Sequence, residues 1–529
     1  MDIKQSFRES FIFNFLLLIK NLAEGSFLFN IGKGKSGSTE TTKIKYKTWV
    51  NSSLVYKILM KIDNGITKFY KFLYRSVVNS RIYNIFHFDK PNSSQEKDAG
   101  LKDKDTSKKP VLENSKLYNL LKAITIRGIL IGLTIGYIFV NFIIRRIGLP
   151  ALIGSIWDEV LLLLLFIYAI YIRIKNDGDI SYNFTPMGLP LALYIILGIS
   201  HVMLIAPNKS IAIEGFRAVF QQVLWYFPIA QLVRKSEDTE KIMNSMVGMG
   251  LFLGLHSVYQ YIAKVPMPGN WVDVTENVRT RAFSIVGSPN ILGALFVLFL
   301  PMAISMVLTS EDKKAKNFYR ISILFMLLGL FFTLSRGAWL AFAFSIFIFI
   351  IVYNPKLLLP FMFLGGVFIL SGGTMSQRLL FMLSPSYMAK SSKAGRLYRW
   401  SVGIDKWKRN KFLGLGLGRF GGAVAMNNQL SPFYLDNYYL KTLTEMGIYG
   451  ILGLAFVIIY FIISSSRIIK AQVDNKKKIL AMGLFSGAIG VLAQNFVENI
   501  FEVPAMAIYV WIVMALINTL APSEKDFIK

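Results

Sequence analysis

Cysteine is absent from the 529 residues, which excludes disulfides, thiolate metal sites and thiol catalysis. Histidine is nearly absent. His87, His201 and His256 cannot make a dense imidazole metal cluster, and each reads as an interfacial or buried structural residue. Charge is also scarce, at 17% of residues against the roughly 25% of a typical soluble domain, which argues against a cytosolic globular enzyme. Acidic residues are the scarcer sign: 31 Asp plus Glu face 59 Lys plus Arg, for a net charge of +28. A chain so poor in charge and yet so basic implies anionic lipids or an anionic substrate. No soluble basic domain follows from the pattern, so nucleic acid is not an expected partner.

Apolar side chains are plentiful, at 53% hydrophobic and 14% aromatic, and they gather into runs of about 20, the length that crosses a bilayer. The fold class expected is an all-α polytopic integral membrane protein of about 12 transmembrane helices. The spans fall near 120–144, 152–172, 187–206, 211–233, 242–263, 288–308, 319–334, 337–353, 356–371, 438–464, 478–497 and 500–521. With the N-terminus inside, the short cytoplasmic loops carry 15 basic residues and the short outer loops 7, so the positive-inside rule places both termini in the cytoplasm. No fixed-period repeat or pair of matching halves is evident, unlike many transporters.

Four regions follow. Residues 1–118 are a basic cytoplasmic appendage: 11–19 form a short apolar run, 53–83 a basic amphipathic pattern suited to an anionic leaflet or a small bundle, and 88–113 a polar linker. Residues 119–371 hold nine spans and 436–529 the last three. Between them, 372–435 form a large extracytoplasmic loop with ten cations and a single acid, Asp405. Trp400, Trp407, Tyr398 and Leu397 interleave with its cations as in amphipathic helices at a headgroup layer. Such a loop either attracts anionic headgroups or binds an anionic substrate.

Arginines also stand at the ends of spans, where an unneutralised guanidinium is costly unless it faces protein, water or an anion. Arg281 precedes a turn and capping sequence, Gly287-Ser288-Pro289-Asn290, that leaves backbone N–H groups free at a helix N-terminus. Arg336 lies in TLSRGAWLA between two apolar stretches. Arg217 lies within a span, with Glu214 one turn earlier, and is either half of an ion pair or a functional cation. Arginine suits phosphate because its planar fork makes bidentate contacts and stays charged. Asp436 opens a further span as either a helix cap or a base, and Glu445 follows within it.

The order RAFSIVGSPNILGA, TLSRGAWLA, GRLYRWSVGIDKWKRNKFLGLGLGRFG and DNYYLKTLTEMGIYG resembles the O-antigen ligase and O-antigen polymerase superfamily of bacterial membrane glycosyltransferases, over roughly residues 210–520. That resemblance implies a GT-C-like helical fold in the bacterial cell membrane. It implies transfer of a glycan from an undecaprenyl-pyrophosphate carrier to an acceptor hydroxyl on the extracytoplasmic face, with inversion, no metal and no cofactor. It assigns the pyrophosphate to Arg281, Arg336 and Arg396, with Arg217 a fourth candidate and Arg399 beside them in the same loop motif. Many ligases carry a histidine where this chain has Asp436; a carboxylate is a weaker base than imidazole, yet it is the usual base in inverting glycosyl chemistry. The departure shifts weight from lipopolysaccharide ligation towards a polymerase or wall-glycan transferase, with Asp436 and then Glu445 as the catalytic candidates. The acceptor expected is a glycan or glycolipid. A lipid-linked oligosaccharide flippase and a peptidoglycan polymerase of the shape, elongation and division class remain alternatives.

Overall fold

The computed structural model describes residues 126–147, 151–175, 185–267 and 280–522. The amphipathic patterns and linker expected before residue 119 lie outside the described residues. These contain helices and connecting turns, with no strand among them.

Capping chemistry sets where the helices begin. The N-terminus of α8 (Pro289–Thr309) follows a left-handed Gly287, its Ser288 Oγ accepts from Ile291 N at 3.5 Å, and Pro289 occupies the first helical position. Asp312 caps α9 (Lys313–Phe332) by accepting from Lys314 N and Ala315 N, and Asp474 does the same for α17 (Asn475–Gln494). The helices before these are α1 (Ile126–Ile135), α2 (Tyr137–Arg146), α3 (Ala151–Lys175), α4 (Gly188–Ser200), α5 (Lys209–Phe216), α6 (Tyr226–Leu232) and α7 (Ser236–Ile262). After α9 come α10 (Arg336–Tyr353), α11 (Leu358–Leu370), α12 (Thr374–Phe381), α13 (Pro385–Ala394), α14 (Arg396–Arg409) and α15 (Ala423–Asn427), then α16 (Tyr438–Ala471), α17 and α18 (Pro504–Ile517).

Seven of the described helices are long and apolar enough to cross a membrane, and an eighth results if α1 and α2, bent by 76° about Gly136, are one span. The expected spans at 356–371 and 500–521 fall on shorter apolar helices, 211–233 on the broken run from α5 to α6, and 478–497 on α17. The protein is thus an all-α membrane protein with more apolar helices than clear crossings.

The centre of the bundle is α8, 83% buried along its apolar window and packed against α9, α10 and α17. Lipid supplies little hydrophobic drive between helices, so close approach and cross-helix hydrogen bonds matter. Accordingly, a side chain at Gly487 would collide with the Leu298 carbonyl, and Ser345 Oγ donates to Ser486 O at 2.7 Å. Helix α11 is the opposite case, with no buried residue.

One helix is interrupted. At Gly447, φ +65° and ψ −162° break α16, and the loop before it enters the gap: Leu415 N and Gly416 N donate to the carbonyls of Thr444 and Glu445, and Ile448 N donates to Lys411 O. These bonds satisfy backbone groups that the break would leave bare at membrane depth. The segment 372–435 is therefore helical pieces anchored into the bundle.

Candidate functional site

The helices alternate in direction, so the loops containing 281–288, 333–335, 372–437 and 495–503 share one end of the bundle. Lys313, Lys356, Lys470 and Lys476–Lys478 lie at the other end. At the first end is a cleft of about 360 Å³, at the lower edge of the about 300–1,000 Å³ usual for small-molecule sites. Its lining holds six cations, Arg281, Arg336, Arg378, Lys390, Arg396 and Arg399, and a single carboxylate, Asp436.

Local sequence explains each placement. Arg281 precedes the α8 cap and its guanidinium is held by two hydrogen bonds: Nε donates to Thr333 O at 2.8 Å and NH2 to Asn290 Oδ1 at 3.0 Å. Arg336 is the first residue of α10 and lies 5.4 Å from the Tyr387 ring centroid, a cation–π distance that fixes it against α13. Arg378, on α12, donates to Leu334 O. Arg396 opens α14, and Arg399 follows one turn later on the same face. First-turn or capping residues of α8, α10 and α14 line the cleft, and Asp436 immediately precedes the Asn437 cap of α16. Three helix N-termini, those of α8, α10 and α14, thus add partial positive charge to the same space.

Asp436 is not the cap of α16. Asn437 takes that role, its Oδ1 accepting from Leu440 N at 2.9 Å, which frees the Asp436 carboxylate to face the cations. Asp436 Oδ2 lies 3.0 Å from Arg399 NH1 and 3.5 Å from Arg396 Nε. A second acid stands behind this layer. Glu498, in the turn between α17 and α18, accepts from Asn290 Nδ2 at 2.7 Å and lies 3.8 Å from Arg396 NH2. Burial, together with the Asp436 charge, pushes its carboxyl up to about 7 against the pull of Arg396 and Arg281. Arg281, Asn290, Glu498, Arg396, Asp436 and Arg399 so form one linked network. Tyr438 N, donating to the carbonyls of Asn495 and Glu498, ties the Glu498 turn to the start of α16.

The structure therefore brings together Arg281, Arg336, Arg396, Arg399 and Asp436. Two other sequence candidates lie elsewhere. Arg217 pairs with Glu159 on α3, whereas its expected partner Glu214 accepts from Asn428 Nδ2 at 3.2 Å. Glu445 is 1% exposed and bound to Lys441 Nζ at 2.5 Å; its other oxygen accepts from Phe420 N at 2.9 Å. Lys441 is also 2.8 Å from Glu502, so two carboxylates share one buried ammonium. The run Gly414–Gly422 packs on this cluster and on α5, where Gly418 meets Gly215, and contributes no cleft lining. Among the described residues no group of three His, Asp or Glu side chains converges as metal ligands would. His256 Nδ1 lies 2.9 Å from Ser284 Oγ, in keeping with a structural role.

Sequence reasoning did not single out Arg378, Lys390, Asn290 or Glu498 as site residues. For Glu498 a signal existed: a polar cluster, Asn495, Glu498, Asn499 and Glu502, in a short turn between two apolar runs.

Comparison with protein families gives a match to the O-antigen ligase family over residues 321–455. The matched stretch runs from α9 into α16 and contains Arg336, Arg378, Lys390, Arg396, Arg399 and Asp436, all but one of the charged residues lining the cleft. The resemblance read from the motifs is borne out over that stretch, which holds three of the four motifs and leaves RAFSIVGSPNILGA outside it. No curated protein matches the chain.

Proposed function

We propose that this bacterial membrane protein of O-antigen ligase type is a glycosyltransferase, a polysaccharide ligase or polymerase, using an undecaprenyl-pyrophosphate-linked donor. The observation that carries the reading is the cleft itself: six cations and three helix N-termini around one lining carboxylate. Cations crowded this closely repel one another, and a pyrophosphate placed among them relieves that cost.

The chemistry follows from these groups. An acceptor hydroxyl attacks the anomeric carbon, its proton passes to Asp436, and the bond to the pyrophosphate oxygen breaks with inversion at carbon. The pyrophosphate leaves as an anion, so stabilisation is needed where its charge grows, and guanidiniums already in place supply it without reorganisation. This reading assigns that work to Arg281, Arg336, Arg396 and Arg399, with Arg378 and Lys390 added, and calls on no metal. Arg396 and Arg399 pair with Asp436 before the donor arrives; as the pyrophosphate draws them off, the carboxylate is freed to meet the acceptor hydroxyl. Arg217 and Glu445 have no part in this scheme.

The same reading takes the twelve apolar helical stretches as spans of a GT-C-like fold. The lysine-rich end is then cytoplasmic by the positive-inside rule, and the cleft opens on the outer face near the lipid-linked donor. The acceptor is a glycan or glycolipid.

Proteoliposomes loaded with undecaprenyl-pyrophosphate oligosaccharide and an acceptor test this. Lengthened or transferred glycan, lost in Arg336→Ala, is the expected result. Intact lipid-linked glycan moving between leaflets would make the protein a flippase instead.

A further inference from the structure

We propose that Glu498 is a positioning residue of the cleft: it holds Arg396, and through Asn290 also Arg281, while the site is empty, and it releases both guanidiniums to an incoming pyrophosphate by taking up a proton. The inference rests on the pyrophosphate-binding part of the proposed function.

Geometry is the first support. Glu498 lies outside the cleft lining, yet it touches two residues that do line it, 2.7 Å from Asn290 and 3.8 Å from Arg396. Asn290 Oδ1 in turn accepts from Arg281 NH2 at 3.0 Å. One carboxylate therefore sets the spacing of two arginines carried by separate segments. The turn that bears it is itself fixed, since Tyr438 N donates to Glu498 O at 3.2 Å and Ile500 N to Asn495 Oδ1 at 3.1 Å.

The charges around Glu498 make its proton sensitive to an anion. From the α16 side it faces Asp436, from α14 Arg396, and from the segment before α8 Arg281. Its turn also meets α10 through Val497 against Gly337, beside Arg336, and the acid further along the turn, Glu502, is directed to Lys441. With its carboxyl pushed up to about 7, Glu498 exchanges its proton near neutrality, and Arg396 and Arg281 favour its ionised form. A pyrophosphate engaging both arginines removes that support and adds negative charge close by, so the carboxylate is protonated from solvent. The arginines are thus held without the anion and freed when it binds, and Asp436 stays available for the acceptor proton.

The test is calorimetric binding of a soluble dialkyl pyrophosphate diester, which does not titrate near neutrality, to the full chain in nanodiscs. Titrations in two buffers of different ionisation enthalpy give the protons taken up per anion bound. The wild type should take up a measurable fraction of a proton at pH 7 and much less at pH 5.5, where Glu498 is largely protonated beforehand. Glu498→Gln should take up none at pH 7, whereas Glu498→Asp should restore part of the uptake, which a merely structural carboxylate would not do. Equal uptake by the wild type at both pH values, or undiminished uptake in Glu498→Gln at pH 7, would overturn the proposal, and the first criterion needs no variant to fold. Glu498-dependent uptake in a protein that transfers no glycan would sustain the positioning role while removing the transferase reading.

Discussion

Replacing Asp436 with Asn separates a base from an ion-pair partner, because the amide keeps the shape and can still accept from Arg399 while losing the charge and the proton affinity. The Asp436 side chain is 20% exposed and its partners Arg396 and Arg399 are 26% and 32% exposed, so solvent screens these pairs. Partly exposed pairs of this kind contribute about 0.2–1 kcal/mol each, which corresponds to no more than about a 5-fold change apiece if holding the arginines were the whole role. A general base contributes about 10²–10⁴-fold, roughly 3–5 kcal/mol of barrier. The reasoning therefore expects kcat for glycan transfer to fall at least 100-fold in Asp436→Asn, with donor KM changed only a few-fold and the melting temperature nearly unmoved. Steady-state transfer from a lipid-linked donor in detergent, alongside thermal unfolding of both proteins, provides the numbers. A loss below about 10-fold with intact folding would refute Asp436 as the proton acceptor and leave it as a counter-ion.

Three further outcomes follow from particular contacts. Arg281→Lys keeps the charge but cannot serve both Thr333 O and Asn290 Oδ1, so donor KM should rise about 5- to 100-fold, read from initial rates against donor concentration. Lys441→Met leaves Glu445 and Glu502 buried without their shared cation and should cost about 3–5 kcal/mol, seen as a lowered unfolding midpoint; adding Glu445→Gln and Glu502→Gln should recover most of it. Gly447→Ala sets a methyl against the Phe412 carbonyl at φ +65°, so the loop must leave the break in α16; protease cleavage within 410–420 should quicken and transfer should drop.

Much of the cleft was legible because its parts are local. Gly287-Ser288-Pro289 announces the start of α8, and an arginine between apolar runs, as at 281 and 336, is expensive unless it faces something polar. The cations of the long loop and the place of Asp436 at the start of a helix were readable for the same reason. What escaped depends on contacts distant in sequence. Asn290 to Glu498 spans 208 residues, and the polar cluster around Glu498 marks the turn without showing which residues it faces. Glu445 read as a second base because it is a lone acid on an apolar helix; its i,i+4 spacing from Lys441 was the sign of a buried pair. Arg217 shows the limit of reading pairs along one helix, since its partner Glu159 comes from α3 and not from the adjacent turn. Span number was hardest to judge, because hydropathy does not distinguish a crossing from a buried or broken apolar helix.

The most direct test of the central claim is the count of undecaprenyl pyrophosphate released per glycosidic bond formed by the purified protein, given an authentic donor and acceptor. The account predicts one carrier released for each bond, with both products abolished together in Arg396→Ala. Glycan transfer without carrier release, or release that persists at the wild-type rate in that variant, would contradict it.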